Sequence, residues 1–487
     1  KVMVGALWRT TIRTLKSLCG SNTPSQRASE RTWTGTTETI SSDQSNKWHT
    51  QPSTDSVGGY TSCINRAENY VIQLRPHQQN AVDKMVAASR GTILVPTGGG
   101  KTLIAIMDAV RRFNASTTPI SIIVVAPRLL LANQLCEEYM EVIRDQVSTQ
   151  VVPAHIHSGD TSHFSTTKVD QIKCFTGMME TAGLHSIFFT TYHSLHRLAE
   201  SSVKADTIYF DEAHNSVQKG FYQAVKFFSE TATRSYFFTA TPKHSLTAKK
   251  AGMNDSTVYG NVIVNVKAAK LVQGGFIVPP RVIAREMPLL KKDQLTSDRD
   301  AQHIIQSIDE SRVSKVLVCA KSVKQIVRMV SESTFVEDLK GRGFSYMYIS
   351  AKTGAVIDGT KVSREEFFKT LNAWGADNAK HFVVLHHSIL SEGINVSGLE
   401  AVIMLRAMDA IGISQTIGRV IRLHKDDSAG MRAGTIAPGN TMEYTKSYGL
   451  VIVPMFNTTQ QGVARSVDKV VETVFEKGEA ATSTITR

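Results

Sequence analysis

A seven-residue segment in the first third of the chain has the composition of a phosphate-binding loop. The apolar run 92–95 leads directly into Pro96-Thr97-Gly98-Gly99-Gly100-Lys101-Thr102, and a helical pattern follows. Glycines let backbone N–H groups curl around an anion, the lysine reaches the β- and γ-phosphates, and the threonine hydroxyl can bind Mg²⁺. Because Val95 stands where the general motif has Gly, only the narrower pattern Pro-Thr-Gly-x-Gly-Lys-Thr is matched. The alternative is a plain strand-to-helix turn.

Two adjacent carboxylates follow the apolar run 208–210, in Asp211-Glu212-Ala213-His214. A carboxylate at the C-terminal end of a strand, facing a phosphate loop, is where an NTPase holds Mg²⁺. Asp211 is therefore predicted to take the metal, directly or through water, and Glu212 to orient and deprotonate the attacking water. Without a phosphate loop in the same chain, two such carboxylates are more often a solvated cap at the end of a strand. This prediction therefore depends on the phosphate loop.

Two arginines lie three positions apart near the end of the chain, in Gln415-Thr416-Ile417-Gly418-Arg419-Val420-Ile421-Arg422. This spacing places Arg419 and Arg422 on one face of a helix, where guanidinium groups can grip phosphate oxygens as charge develops. A salt-bridged surface helix is the alternative. These arginines reach a nucleotide on the phosphate loop only if the two halves of the chain face each other, which would couple hydrolysis to domain closure.

The elements that position these motifs form two series in which strand-length apolar runs alternate with helical patterns. That alternation is typical of βα units and a parallel sheet. We therefore predict an α/β fold with two parallel-sheet domains in tandem and a nucleotide cleft between them. The predicted strands are 92–95, 121–126, 187–190, 207–210, 236–239, 315–319, 346–350, 381–385, 401–405 and 450–453.

The predicted domain boundaries follow the changes in pattern. A glycine pair at 274–275 and a proline pair at 279–280 interrupt the pattern of strands and helices, as is typical of a linker. Near the end, five valines share one helical face and predict a packing helix without a catalytic role. The predicted segments are a tail (1–68), the ATP-binding domain (69–270), a linker (271–285), a C-terminal domain (286–458) and a terminal helix with its tail (459–487).

Composition bounds the class of protein. The 487 residues are 41% hydrophobic and 20% charged, which excludes a wholly disordered or fibrous chain. The net charge of +12 favours a polyanionic partner, with a generally basic surface as the alternative. No apolar run approaches the length of a membrane span. The five cysteines, which indicate a reducing compartment and show no spacing with His suited to zinc, are Cys19, Cys63, Cys136, Cys174 and Cys319.

The first 68 residues differ from the rest. They are rich in Ser and Thr, without apolar periodicity, and the first 29 contain basic but no acidic residues. We expect this tail to be disordered or loosely attached. Its start resembles an organelle transit peptide, with a basic nucleic-acid-binding tail or a stretch foreign to the domain as alternatives. The predicted location is the cytoplasm, of the host if the protein is viral, with organelle targeting left open.

The order of the motifs resembles a superfamily 2 helicase core of the DEAH-box type, over about residues 71–455. The resemblance implies two RecA-like domains, ATP and Mg²⁺ as cofactors, and a nucleic-acid partner. The segment 74–79 looks like the family's adenine-reading motif. The implied nucleotide-binding residues are Arg75, Gln78, Thr97, Gly98, Gly99, Gly100, Lys101, Thr102, Gly393 and Asn395. The implied metal ligands are Thr102 and Asp211, and the implied catalytic residues are Glu212, Gln415, Arg419 and Arg422.

Further segments resemble the family's coupling and strand-contacting motifs. Residues 239–242 resemble the segment that links hydrolysis to movement, which implies coupling roles for His214, Thr239 and Thr241. Residues 126–128 and 191–195 resemble motifs that grip a phosphate backbone without reading bases. The implied nucleic-acid contacts are Pro127, Arg128 and Thr191, with Lys352 as a further candidate. The family more often has Asp where Asn395 stands, and several subfamilies have His where Gln415 stands.

Within the superfamily, the pattern Leu-Arg-Pro-x-Gln at 74–78 and residues 390–395 resemble the UvsW-like phage helicases. We therefore predict an ATP-dependent DNA helicase or translocase of replication, recombination or repair, acting on single-stranded or branched DNA. The alternatives are an RNA helicase, a duplex translocase that does not separate strands, and an ATPase switch that does not use nucleic acid.

Overall fold

Two eight-stranded sheets form the framework of the molecule. The structure is a computed structural model that describes residues 72–159, 161–247, 249–287, 290, 294–350, 353–387, 398–406, 408–455, 462–476 and 483–485. Residues 75–487 belong to one unit. Before residue 75 only 72–74 are described, and they have no regular secondary structure.

The first sheet belongs to the predicted ATP-binding domain. Its strand order is β4-β3-β5-β2-β6-β7-β1-β9, and all neighbours are parallel. The strands of this half are β1 (Arg90–Leu94), β2 (Ser121–Ala126), β3 (Val151–Ile156), β4 (Phe164–Ser165), β5 (His185–Thr191), β6 (Thr207–Phe210), β7 (Arg234–Thr239), β8 (Lys243–Ser245) and β9 (Val262–Asn265). Its helices are α1 (Pro76–Ala87), α2 (Lys101–Ala115), α3 (Leu129–Gln146), α4 (Val169–Ala182), α5 (Leu195–Glu200), α6 (Tyr222–Thr231), α7 (Ser256–Tyr259) and α8 (Ala268–Gln273).

The parallel arrangement brings the ends of five strands to one edge of this sheet. Strands β5, β2, β6, β7 and β1 lie side by side in the sheet, in that order. Because they are parallel, the segments that follow them share one edge. The phosphate loop follows β1, and the two adjacent carboxylates follow β6. The sheet topology therefore gathers motifs that lie more than a hundred residues apart in sequence.

A buried polar network anchors the helix of the phosphate loop to the sheet. Asp108 of α2 is fully buried, and its carboxylate accepts hydrogen bonds from Arg112 Nε at 2.8 Å and Tyr209 Oη at 2.7 Å. Arg112 also donates to Tyr236 Oη at 3.1 Å. Because Tyr209 lies on β6 and Tyr236 on β7, these bonds fix α2 against two strands. One of them leads to Asp211 and the other ends at Thr239. A buried carboxylate is tolerated here because it is paired and hydrogen-bonded.

The second sheet has the strand order β10-β17-β16-β11-β15-β12-β13-β14 and is parallel except at β12-β13-β14. The strands of this half are β10 (Pro280–Glu286), β11 (Lys315–Cys319), β12 (Ser345–Ser350), β13 (Gly354–Ile357), β14 (Thr360–Val362), β15 (Phe382–His386), β16 (Ala401–Met404), β17 (Gly449–Met455) and β18 (Ser483–Ile485), of which β18 pairs with β8. Its helices are α9 (Thr296–Ser311), α10 (Val323–Glu332), α11 (Phe335–Gly341), α12 (Arg364–Ala376), α13 (Ala410–Val420), α14 (Lys425–Ala433) and α15 (Gly462–Val471).

The two faces of the second sheet pack against separate apolar layers. One layer contains residues of α9, α10 and α11, and the other contains residues of α12, α13 and α15. Val467, Val470 and Val474 from the last helical segment are at most 6% exposed and belong to the second layer. The apolar face predicted for this segment is thus a packing face.

The predicted fold class is confirmed, since two parallel-dominated α/β sheets follow one another along the chain. Each of the ten predicted strands is present, with ends shifted by at most two residues. The segment predicted as linker differs, because Pro280–Glu286 forms β10 at the edge of the second sheet. Among the described residues, every helix is too short or too polar to span a bilayer.

Candidate nucleotide site

The phosphate loop connects β1 to α2 and depends on two left-handed glycines. Gly98 and Gly100 have φ angles of +85° and +80°, a conformation that other residues adopt only with strain. A Cβ atom at Gly100 would lie 2.2 Å from Nε2 of Gln78. The loop therefore needs glycine at position 100 for space as well as for backbone conformation.

Helix α1 braces the phosphate loop through two side chains. Gln78 is 2% exposed, donates from Nε2 to the carbonyl of Gly100 at 3.3 Å and accepts from the backbone N–H of Arg75 at 3.0 Å. His77 Nε2 lies 2.8 Å from the carbonyl oxygen of Gly99. Burial lowers the pKa of His77, and its hydrogen bond to Gly99 opposes that shift. Gln78, predicted to contact the base, here contacts the loop itself.

The two carboxylates after β6 face the lysine of the loop. Lys101 Nζ lies 3.5 Å from Glu212 Oε1, and both side chains are largely buried. Burial and the neighbouring Glu212 raise the pKa of Asp211. Burial also disfavours the charged form of Glu212, but Lys101, His214 and Arg419 outweigh it and lower its pKa. Within the pair, Glu212 is thus shifted toward its ionised form and Asp211 toward its protonated form.

Glu212 also carries local backbone strain. Its φ of +43° is left-handed, which costs a non-glycine residue about 1–3 kcal/mol and is a feature of functional sites. The backbone N–H of Asp211, just before it, donates to the carbonyl of Val125 on β2 at 2.8 Å. The Tyr192 hydroxyl donates to the carbonyl of Asp211 at 2.8 Å. These bonds hold the two carboxylates in their orientation.

His214 links the carboxylate to both predicted coupling residues and to the second domain. Its Nδ1 lies 3.5 Å from Glu212 Oε2 and 3.1 Å from Thr239 Oγ1. The Thr239 hydroxyl oxygen accepts from the backbone N–H of Thr241 at 3.1 Å. On the other side of the ring, Nε2 of His214 lies 3.5 Å from Nε2 of Gln415 on α13. One imidazole thus contacts groups from β7, the carboxylate segment and the other domain.

The second domain supplies two arginines to the same space. Arg419, on α13, is 5% exposed, and its charge helps to lower the pKa of Glu212. Arg422 follows α13, and burial lowers the pKa of its guanidinium. A cavity of about 730 Å³ lies between the domains and is bounded by the predicted residues Arg75, Thr97, Gly98, Gly100, Lys101, Thr102, Asp211, Glu212, Gln415, Arg419 and Arg422.

The cavity is also lined by residues that were not predicted, among them Phe276, Gln134 and Glu138. The ring of Phe276 lies 4.7 Å from the guanidinium carbon of Arg75, in a cation–π contact. Gln134 donates to Glu138 at 2.7 Å, and burial raises the pKa of Glu138, an effect that the nearby charge of Arg422 opposes. Phe276 follows the glycine pair at 274–275, which is only a weak indication of a binding residue. Nothing in the sequence pattern of helix α3 distinguishes Gln134 and Glu138 from solvated residues.

The residues of this cavity fit a magnesium nucleotide. Oγ1 of Thr97 and Oε2 of Glu212 are buried without a hydrogen-bond partner among the described residues. The glycine cradle, Lys101 and the two arginines offer donors and positive charge to phosphates. Thr102, the second residue of α2, and Asp211 are the oxygen ligands that would hold Mg²⁺.

The predicted nucleic-acid contacts lie outside this cavity, at the same edge of the sheet. Arg128 is exposed and is the N-cap of α3, directly after Pro127. Thr191 ends β5, and it is the register partner of Ala126 on β2. The two segments are therefore neighbours. Gly393, Asn395 and Lys352 lie outside the described residues.

Two family models match the chain in the order of its sheets. Residues 71–244 match the model described as "Type III restriction enzyme, res subunit", and residues 299–424 match the helicase conserved C-terminal domain. None of the curated proteins matches the chain.

Solved structures share the fold at low sequence identity. The ATP-dependent Type ISP restriction-modification enzyme LlaBIII bound to DNA has a TM-score of 0.62 and 17% identity, over 85% of this chain and 31% of that chain. A nuclease-deletion mutant of the Type ISP enzyme LlaGI with a DNA substrate mimic has a TM-score of 0.56 and 18% identity, over 84% and 30%. Dbp5 of S. cerevisiae bound to RNA and ADP BeF3 has a TM-score of 0.50 and 14% identity, over 84% and 89%.

This chain spans about a third of the length of the two restriction enzymes. The two family matches lie on the two parallel sheets that bound the cavity, and the solved structures share this tandem RecA-like fold. The chain therefore carries two domains in tandem, the first of which matches the restriction-enzyme res-subunit model and the second the helicase conserved C-terminal domain.

Proposed function

We propose that this protein is an ATP-dependent DNA motor, a helicase or translocase of the DEAH type, in which ATP hydrolysis opens and closes the two domains. The observation that carries the proposal is the shared cavity. Lys101, Asp211 and Glu212 enter it from one domain, and Arg419 and Arg422 enter it from the other. A complete set of phosphate-transfer groups forms only when the domains are together.

The proposed chemistry divides the work among these residues. When bound, Mg²⁺ neutralises phosphate charge. Lys101, 3.5 Å from Glu212 Oε1 in the structure, would turn toward the nucleotide phosphates and release the Glu212 carboxylate. Glu212, whose pKa is lowered, is then the base that orients the attacking water and accepts its proton. Arg419 and Arg422 stabilise the charge that develops on the transferred group.

Movement would follow from the contact between His214 and Gln415. That contact, at 3.5 Å, joins the carboxylate segment of one domain to α13 of the other. Because His214 Nδ1 also lies 3.5 Å from Glu212 Oε2, a change at Glu212 during hydrolysis reaches the domain interface through one ring. Two domains that alternately approach and separate can step along a strand that both of them grip.

Two observations support nucleic acid as the partner, and a third supports DNA in particular. The net charge of +12 suits a polyanion. Exposed Arg128 lies beside Thr191 at the sheet edge, where a phosphate backbone could lie without base readout. The matched family model is named for a restriction enzyme, and two structural neighbours were solved with DNA or a DNA mimic. The structural neighbour solved with RNA keeps an RNA helicase as the second candidate.

The deciding experiment measures steady-state ATP turnover with no polymer, single-stranded DNA, branched DNA, duplex DNA and single-stranded RNA. We expect stimulation by single-stranded or branched DNA, and strand separation on branched DNA as in the UvsW-like helicases. The matched control is Lys101→Ala, which removes the phosphate-binding charge and should abolish turnover with every polymer. Lys84→Ala, on the exposed face of α1, should leave turnover unchanged.

Each outcome assigns the protein to one class. Stimulation by RNA alone would make it an RNA helicase, and stimulation by duplex DNA without strand separation would make it a duplex translocase. Turnover that no polymer changes would indicate an ATPase switch. Near-normal turnover in Lys101→Ala would refute the nucleotide site itself.

A further inference from the structure

Three metal-ligating side chains meet in the first domain, and none of them lines the nucleotide cavity. Cys136 lies on α3, His155 on β3 and His163 just before β4. One ligand atom from each lies within 4.8 Å of the other two. No motif in the sequence indicates this cluster, because 18 residues separate Cys136 from His155 and seven separate His155 from His163.

The spacing of the donor atoms suits a tetrahedral ion. Cys136 Sγ lies 3.8 Å from His163 Nδ1. Tetrahedral zinc with Zn–S of about 2.3 Å and Zn–N of about 2.0 Å separates its sulfur and nitrogen ligands by about 3.6 Å. The pair Cys136–His163 is therefore close to the spacing of two ligands of one ion, and all three donors lie within 4.8 Å of one another.

A buried ring nitrogen in this cluster lacks a partner. His155 is 1% exposed, and its Nε2 has no hydrogen-bond partner in the described part of the chain. Its other nitrogen, Nδ1, lies 2.9 Å from Nε2 of His157. Leaving a buried polar atom unpaired is unfavourable, and a bound cation would remove that cost.

Neighbouring groups fix the orientation of the rings. The rings of His155 and His163 are stacked, with centroids 5.6 Å apart and an interplanar angle of 17°. Nε2 of His157 lies close both to Nδ1 of His155 and to Oδ1 of Asn133, which is 3.1 Å away. Metal-ligating histidines are generally held in this manner by a second layer of contacts on the nitrogen that does not face the ion.

The two rings of the cluster have the protonation state that binds a metal ion, whereas the thiol must first lose its proton. Burial lowers the pKa of His155 to about 3 and also lowers that of His163, so both rings are neutral near pH 7, the form that binds metal. Burial raises the pKa of the Cys136 thiol to about 12. Metal binding would form the sulfur–metal bond and release the thiol proton to solvent, one proton per ion.

We propose that Cys136, His155 and His163 bind one Zn²⁺ ion that ties helix α3 to strand β3. Two nitrogen donors and one thiolate are typical zinc ligands, and they leave the fourth tetrahedral position to water. Helix α3 begins next to Arg128 and carries Glu138 to the nucleotide cavity, so the ion would fix an element with contacts at both sites. This proposal does not depend on the nature of the nucleic acid or on ATP turnover.

The test uses the full chain, stripped of metal with a chelator and then titrated with Co²⁺, whose spectrum reports ligand type. We expect one Co²⁺ per chain, a thiolate-to-cobalt charge-transfer band, tetrahedral d–d bands, and displacement of all of these by Zn²⁺. Cys136→Ser should abolish the charge-transfer band, and His163→Gln should weaken Co²⁺ binding at least about ten-fold. The matched control is Cys174→Ser, which changes an exposed cysteine on α4 and should keep the wild-type spectrum.

Thermal unfolding separates loss of metal from loss of fold. In chelator, His163→Gln and wild type should melt at the same temperature, and only wild type and Cys174→Ser should gain stability from Zn²⁺. If Cys136→Ser does not fold, the test depends on Co²⁺ binding by His163→Gln, which changes a half-buried residue. The proposal would be overturned if the wild-type chain showed no thiolate–cobalt band. It would also be overturned if the band persisted unchanged in Cys136→Ser, or if His163→Gln bound Co²⁺ as tightly as wild type.

Discussion

Gly418 of α13 lies directly against Thr97 of the phosphate loop, so that a Cβ at position 418 would stand 2.4 Å from the Cβ of Thr97. Carbon atoms in contact prefer about 3.5–4.0 Å. The absence of a side chain at Gly418 is therefore what lets the second domain reach the loop and bring Arg419 into the cavity. This close approach is one of the contacts that join the two domains in the structure.

Gly418→Ala should hinder closure of the domains. The added methyl group would push the loop and α13 apart by about 1 Å, and a misplacement of that size costs about 10²-fold in turnover. We expect this loss in kcat, measured with saturating ATP and polynucleotide. Gly177→Ala is the matched control, because a Cβ there meets no atom within 4 Å. Equal turnover in the two variants would contradict this account of closure.

Arg422→Ala should leave ATP binding largely intact and lower turnover. A guanidinium that acts only on the transition state contributes about 10³–10⁵-fold to the rate. Nucleotide binding to the folded variant and its steady-state turnover are the two measurements. Arg432→Ala, an exposed arginine on α14, is the control. A variant that loses stability but keeps wild-type turnover per folded molecule would exclude this role.

Gln415 and His214 should act as one unit across the domain interface. Their Nε2 atoms are 3.5 Å apart, so removal of either side chain breaks the same contact. We expect Gln415→Ala and His214→Ala each to lower polymer-stimulated turnover, and the double variant to be no worse than the poorer single one. The coupling free energy should be about 0.5–1.5 kcal/mol. Gln415→Ala combined with Gln79→Ala, an exposed glutamine on α1, should instead be additive.

Local motifs were predictable from the sequence because their chemistry depends on neighbouring residues. The phosphate loop, the carboxylate pair and the arginine helix each occupy fewer than ten consecutive positions, and each lies where a strand or helix was predicted. Strand β3 was missed because Pro153 interrupts its apolar pattern. The structure accommodates this proline because β4 pairs only with Ala154 and His155, which leaves the edge beside Pro153 open.

Long-range packing set the parts of the site that the sequence could not reveal. Phe276 and Glu138 reach the nucleotide cavity from a linker and from the middle of a helix. Their local patterns are those of ordinary surface or core residues. The cluster of Cys136, His155 and His163 likewise exists only because α3 packs on β3. The absence of a zinc-type spacing in the sequence therefore did not exclude three ligands that meet in space.

Arg128→Ala should weaken DNA binding without changing sequence preference. Its guanidinium is exposed at the sheet edge beside Thr191, where it would neutralise a phosphate. Loss of one phosphate contact should reduce the slope of log Kd against log salt by about 1. Arg328→Ala, an exposed arginine on α10 of the other domain, is the control. An unchanged slope in Arg128→Ala would remove this residue from the binding surface.

His303 should make the protein sensitive to acid. It lies on α9, is 2% exposed, and neither ring nitrogen has a hydrogen-bond partner within the described ranges. Burial, assisted by the charges of Arg285 and Arg299, lowers its pKa to about 4. Since the unfolded chain takes up this proton near pH 6.5 and the folded chain does not, the free energy of unfolding falls as the pH drops from about 6.5 toward 4.

The variant His303→Leu should therefore lose less stability in acid than wild type. Between pH 7 and pH 5 the histidine contributes a loss of about 2 kcal/mol that leucine cannot contribute. Melting temperatures at the two pH values measure the difference, and His196→Leu, an exposed histidine on α5, is the control. If His303→Leu shows the same pH dependence as wild type, the ring either finds a partner in solution or titrates at its ordinary pKa in the folded protein.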